Sequence, residues 1–218
     1  QGDGRIRLPR GSYRISRTIE IDVNKQGPIS IEGSGGTARI VMTGPGPALR
    51  LLGTHDGTGD PGTRSENVRT LERMPTISGL EITGEHAEAD GLELVGTMQP
   101  VLTSLLIHGV RDEIRLHKRN RNVLINHCHI YNNTGVGIFF DEVNLHQVNI
   151  TGNHISYNRL GGIRLERSEV RNLQITGNDI EYNNHAEHGT EPEPTAEIYV
   201  DVSAPGASVN EVTVASNT

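Results

Sequence analysis

Short stretches of alternating apolar and polar residues run along most of the chain. In the clearest repeat they are Val148 and Ile150, then Ile155, then Ile163 and Leu165. Alternation at period two marks half-buried strands, not helices. The stretches recur at a fixed interval. The string Ile150-Thr151-Gly152-Asn153-His154-Ile155 returns 25 residues later at 175–180 and is matched 25 residues earlier at 125–130. It is matched again at 102–107 and 77–82, and 214–218 begins it once more. A second string, Gly162-Ile163-Arg164-Leu165, has counterparts at 91–94, 113–116, 137–140 and 197–200. A propeller blade needs ~40–45 residues, and the Leu-Asn consensus of a leucine-rich repeat is missing. Three short strands per repeat, stacked in register, predict an all-β solenoid: a parallel β-helix with coils ~4.8 Å apart.

Asparagines mark its corners. Asn153, Asn178 and Asn217 share one column, and Asn133, Asn158 and Asn183 share another. Asn accepts the left-handed conformation and bonds neighbouring backbone, so both columns are expected to be structural. Leu80, Leu105 and Cys128 continue the first column with apolar groups, which makes Cys128 a buried space-filler. Three insertions interrupt the coils, at 53–74, 185–194 and 201–211. They flank the Gly-Ile-Arg-Leu-type strand, and solenoid insertions gather around binding faces.

The opening Gly4-Arg5-Ile6-Arg7-Leu8-Pro9-Arg10-Gly11-Ser12-Tyr13-Arg14-Ile15 resembles the first-coil motif of pectate-lyase-like domains, as does Ile29-Ser30-Ile31-Glu32-Gly33-Ser34-Gly35. Over nearly its whole length the chain resembles the pectate-lyase-like right-handed parallel β-helix superfamily. The resemblance implies three short parallel sheets, with any enzyme site on the outside of the first. It also implies an extracellular, cell-surface or periplasmic setting, although no signal peptide is seen in this chain. Members include lyases, hydrolases, epimerases, esterases and binding proteins, so the fold speaks more clearly than the reaction. The amphipathic helix that usually precedes the first-coil motif is not seen, and the last repeat breaks off at Thr218. Residues 1–218 are therefore expected to form one β-helix domain lacking its N-terminal cap and part of its C-terminal end.

Strand parity turns the residues between the inward apolar ones outward. One outward column of the first sheet reads Glu93, Arg115, Phe139, Arg164, Tyr199, with Arg50 before it; the next reads Val95, His117, Asp141, Glu166, Asp201. Three carboxylates in line repel unless a cation, arginine or proton intervenes. A polysaccharide is the partner this mixed face suits, and an acidic glycan best. In β-elimination, Arg164 or Arg115 would clamp the uronate carboxylate, and Tyr199 or His117 would act as base or acid. The carboxylate row offers oxygen ligands for Ca²⁺. A glycoside hydrolase would instead pair carboxylates from Asp141, Glu166 and Asp201. A third reading is a non-catalytic glycan-binding or surface-attachment rod. The Asp-Pro-His-Glu signature of alginate epimerases and the polygalacturonase motif set are both missing.

Two further clusters carry chemistry. Arg111, Arg115, His117, Lys118, Arg119 and Arg121 form a basic group expected to attract a uronate or sulfated glycan. His129, His154 and Asp179 fall in one column, preceded two coils earlier by Glu81, and make a weak metal candidate, as do His185, Glu187, His188, Glu191 and Glu193 in the second insertion.

Composition narrows the picture. Of 218 residues 26 are Gly, 33% are hydrophobic, 3% are aromatic and none is Trp, the usual sugar platform. The net charge of -7 argues against nucleic acid as a partner. No run reaches the ~18 apolar residues of a membrane span. A single cysteine excludes an intrachain disulfide and a Cys-based zinc site.

Overall fold

The computed structural model describes residues 4–183 and 196–218. Its backbone winds as a parallel β-helix. The first sheet is built from Ile19–Asp22, Gly46–Leu52, Ala89–Met98, the leading parts of Ile114–Asn126 and Ile138–Thr151, then Ile163–Glu166 and Ile198–Asp201. The second sheet follows in Arg5–Arg7, Ser30–Glu32, Thr76–Ser78, Val101–Thr103, the trailing parts of the two long strands, Glu169–Thr176 and Ser208–Ala215. The third contains Gly11–Ile15, Ala38–Met42, Leu80–Gly84, Leu106–His108, His129–Asn133, His154–Asn158 and Asp179–Glu181. Every pairing is parallel and joins one coil to the next. The three faces are those expected, with one difference. Residues 118–121 pair with 143–146, and 144–146 with 169–171, so the first and second sheets are continuous around that corner.

The repeat in the sequence is the stacking in space. Ile125, Ile150 and Ile175 are partners in the second sheet, and Ile130, Ile155 and Ile180 in the third. In the first sheet Ile138 pairs with Ile163 and Phe140 with Leu165. All of these side chains are buried in one continuous core.

Corners turn on single left-handed residues stacked in columns. Gly79, Ser104, His127, Gly152, Gly177 and Ser216 lead from the second sheet to the third, with φ between 54 and 66°. Asn132, Tyr157 and Tyr182 turn the chain out of the third. This corrects the role expected of the column asparagines: each follows the left-handed residue and uses its amide instead. Asn153 Nδ2 donates to Asn178 Oδ1 at 2.9 Å, and Asn178 Nδ2 to Asn217 Oδ1 at 3.0 Å. The same oxygens accept the backbone N–H of Asn153 and Asn178. Asn133, Asn158 and Asn183 form a second ladder of the same design, which Glu197 ends. These ladders satisfy polar groups in a water-free interior, where an unmet one costs about 1–3 kcal/mol. Cys128 is the buried filler expected, and burial pushes its thiol up to about 11.

The 53–74 insertion is tied down. Its turn Pro61–Thr63 leads to the helix Glu66–Thr70, where Ser65 Oγ accepts from Val68 N–H. Buried Glu72 accepts from the backbone N–H of Thr54 at 2.7 Å and from Asn67 Nδ2 at 3.0 Å, closing the segment at its base.

Asn178→Ala strips partners from a buried amide and a buried N–H, and should cost about 1–3 kcal/mol in urea unfolding; Ile163→Asp, which buries an unpaired charge, should abolish cooperative unfolding. Glu113 is fully buried, with neither carboxyl oxygen hydrogen-bonded among the described residues. Burial, with Asp112 adding to it, pushes its carboxyl well above the usual range. Its contribution to stability is present below the unfolded value of ~4.3 and is lost as pH rises toward the raised folded value. Glu113→Met should flatten that decline and raise the melting temperature at neutral pH.

Candidate functional site

The outward columns of the first sheet are where parity puts them. Arg50, Glu93, Arg115, Phe139, Arg164 and Tyr199 are successive ladder partners, and so are Val95, His117, Asp141, Glu166 and Asp201. Their charges, however, are spent on each other. Arg50 pairs with Glu20 and Glu93. Arg115 reaches Glu93 at 3.4 Å and donates through Nε to Asp141 at 3.0 Å. Arg167, which lies in neither column, bridges Asp141 and Glu166, donating to the latter at 2.8 Å. Arg164 donates through Nε to Glu166 at 2.6 Å and lies over the Tyr199 ring, 5.2 Å from its centroid.

The positive charge that aligned carboxylates require is supplied here by Arg115, Arg164 and Arg167, which engage the oxygens of Asp141 and Glu166. Burial pushes the Asp141 carboxyl up, but hydrogen bonds and charge from Arg115 and Arg167 outweigh it and hold it below the usual range. Asp201 is also held low, by hydrogen bonds from Ser203. Arg164 is not the solvent-facing clamp that parity suggested: its side chain is 14% exposed, pinned between Glu166 and Tyr199. His117 Nδ1 lies 2.9 Å from the Asp141 carbonyl oxygen.

The basic group divides. Arg111 forms a bidentate pair with Asp90, both bonds at 2.8 Å, and Arg115 belongs to the network above. Lys118 is an exposed left-handed residue at the corner. Arg119 and Arg121 turn toward the 53–74 insertion, where Arg121 donates to the carbonyls of Thr58 and Gly59 at 2.7 and 2.8 Å.

On the third sheet His129, His154 and Asp179 are ladder partners as expected. Glu81 is drawn away from them by Arg39 and His108. Among the described residues, the ligand atoms close enough to share a cation are those of His154, Asp179 and Glu181, within 4.8 Å of one another. The candidate cluster at 185–193 lies outside the described residues.

A further site escaped sequence reasoning. Gln99, Asn122, Gln147 and Asn172 occupy the left-handed corner between the first and second sheets, with φ from 54 to 68°. They rim a groove of about 460 Å³ on the outside of the second sheet. Its floor is the outward ladder Val101, Leu124, Asn149, Gln174, and Met74 stands at its edge. Leu124 and Met74 are 38% and 62% exposed, apolar groups left facing water. No lining residue carries a charge. The signal was present as amides recurring every 23 to 25 residues, but Asn and Gln near corners read as turn formers.

A family model described as a right-handed beta helix region matches residues 62–217. No curated protein sequence matches the chain. Among solved structures, ORF18 of Geobacillus virus E2 superposes with a TM-score of 0.56 at 13% identity, over 96% of this chain and 38% of that one. The chain thus spans well under half of that protein, and the likeness is one of fold. The Dettilon tailspike protein (11% identity, TM-score 0.41, 98% of this chain and 56% of that one) and the A-module of an Azotobacter vinelandii mannuronan C-5 epimerase (16%, 0.35, 90% and 71%) superpose more loosely.

The ion network makes its own forecast. Arg115→Met leaves two buried carboxylates short of charge and should cost ~2 kcal/mol, a buried-pair penalty discounted for the partial exposure of the guanidinium. Arg167→Met, whose side chain is more exposed, should cost less. Asp141 should follow in the same variants: its carboxyl, held low in the parent, should titrate at higher pH by NMR. Since its stabilisation is lost as pH falls through the folded value, acid unfolding should begin at higher pH.

Proposed function

The chain belongs to the right-handed β-helix family, and on that premise we propose that it is a glycan-binding solenoid whose amide groove holds a segment of polysaccharide. The groove itself carries the reading. Each amide offers both donors and acceptors, as a sugar hydroxyl requires. They repeat along the solenoid axis at the ~4.8 Å coil step, so a polymer of regular repeat meets equivalent groups at each coil. Leu124 and Val101 provide apolar floor for the C–H faces of the rings. An apolar surface with convergent, uncharged polar groups is the usual form of a small-molecule site, and the lack of charge favours neutral stretches of the chain.

The first-sheet face supports a second reading, catalysis on an acidic glycan by Arg164, Glu166, Tyr199, Asp141, Asp201 and His117, through the guanidinium–phenol stack of Arg164 on Tyr199. It is the less favoured reading. A clamp needs a free guanidinium, and a retaining pair needs one protonated and one free carboxylate, whereas Arg164, Glu166 and Asp141 are committed to internal ion pairs.

Retention on a panel of neutral and acidic polysaccharides, with product analysis, tests both. The parent should bind without releasing unsaturated or new reducing ends. Gln147→Ala with Asn149→Ala should weaken binding about tenfold or more, at ~0.5–1.5 kcal/mol per hydrogen bond lost. Leu124→Lys should abolish binding and leave the melting temperature near the parent's. Unchanged retention in Leu124→Lys would place the glycan elsewhere, and cleavage products would move the function to the first sheet.

A further inference from the structure

Beneath the 53–74 insertion lies a cavity of about 470 Å³ that neither reading uses. Its wall is the continuous corner between the first two sheets. There Arg119, Asn144 and Glu169 form one outward row, and Arg121, His146 and Arg171 the next. Thr58, Gly59 and Asp60 close it from the other side. The segment sits directly on the imidazole: a Cβ on Gly59 would come within 2.9 Å of His146 Nδ1.

The basic groups here lack what those of the first sheet have. Arg119 donates through Nη1 to Asn144, but its Nε and Nη2 are buried with no hydrogen-bond partner among the described residues. Arg121 is 5% exposed; its two Nη atoms hold the Thr58 and Gly59 carbonyls, and its Nε is likewise unpartnered. His55, 2% exposed, has an unpartnered Nε2. Neither arginine forms an ion pair among the described residues. The nearby carboxylates are engaged: Glu169 by Asn144 and Arg171, and Asp60 by the N–H of Gly62. Buried donors left unmade are costly, and desolvated guanidinium groups side by side repel. The imbalance shows in four groups. Burial, then the neighbouring arginines, push His55 down to about 4 and lower His146; burial and Arg121 lower Arg119; burial and Arg64 lower Arg121.

We propose that this cavity is an oxyanion site, in which Arg119 turns its covered, unpartnered N–H groups into the cavity to grip a sulfate or phosphate group, with the charge of Arg121 behind it and His146 beside it. A guanidinium fork is suited to two oxygens of one such group. The volume exceeds that of a bare anion and leaves room for a sugar carrying one. The site is separate from the amide groove and stands whether or not the groove binds glycan.

The test follows the His146 ring resonances by NMR during titration with sodium sulfate, sodium phosphate and a sulfated disaccharide, at constant ionic strength made up with chloride. Saturable shifts are expected, with the His146 pKa rising when the site fills, because an anion offsets the effect of Arg119 and Arg121. Asp60, Arg64, Glu169, Arg171 and Glu211 also face this imidazole or its neighbours, so the comparison is made with and without anion in the same protein. Binding of the disaccharide about tenfold tighter than sulfate, with sulfate competing, identifies a glycan substituent; equal affinity identifies the free anion. Arg119→Gln should remove the shifts. Should that variant lose the parent's cooperative melt, Arg119→Lys, which keeps the charge but not the fork, should bind about tenfold more weakly. Resonances unmoved by all three ligands, or unchanged binding in both variants, would overturn the site. Because the readout is His146, loss of glycan retention in Leu124→Lys leaves it untouched.

Discussion

The strands of each coil pair only with the coil before it and the coil after it, and most of the structure follows from that constraint. A residue one period away in sequence becomes the neighbour ~4.8 Å away in space. Inward side chains must then match along columns. Ile125, Ile150 and Ile175 do so as like on like. The asparagine ladders do so as donor on acceptor, so polar groups run through the interior without leaving one unmet. Glu113 breaks the rule: its carboxyl oxygens find no partner among the described residues, and burial pushes the group well above the usual carboxylate range.

The same constraint shapes the surface. Outward residues of successive coils are held at strand spacing whether or not their charges agree, and the first sheet resolves this with arginines that alternate with or bridge its carboxylates. The run from Glu20 through Arg50, Glu93, Arg115, Asp141, Arg167 and Glu166 to Arg164 is one connected array. Such a face is rigid and electrostatically closed. The second sheet carries amides that neighbouring coils leave available. The corner beneath the insertion carries two guanidinium groups, those of Arg119 and Arg121, that form no ion pair among the described residues although Asp60 and Glu169 stand nearby. These three surfaces share one scaffold and differ in how far the chain satisfies its own polar groups.

Insertions add contacts that the periodic constraint does not supply. Glu72 fastens the base of the 53–74 segment, and Arg121 fastens its middle from 63 residues away. That grip uses two of the donors on Arg121 and covers it, which turns an ordinary surface arginine into a desolvated one. A cavity with unmet donors is the result, and it exists because a loop crosses a corner where two sheets run together.

The sequence by itself determined the coil, its register, and which residues point in or out, because period and parity are local properties that stacking merely repeats. Both outward columns of the first sheet were legible for that reason, and so was the burial of Cys128. Partner choice among charged side chains was not. Arg167 lies just past its strand, outside both columns, yet its long stem reaches Asp141 and Glu166 across a coil. Arg164, in an outward column, and Arg119, in the basic group, were both candidates for holding a glycan; Glu166 lies two residues from the first, while the second has Asn144 and an overhanging loop. The path of an insertion and the torsions of long side chains depend on contacts far apart in sequence, so the tertiary structure decided which cations are satisfied and which remain open to a ligand.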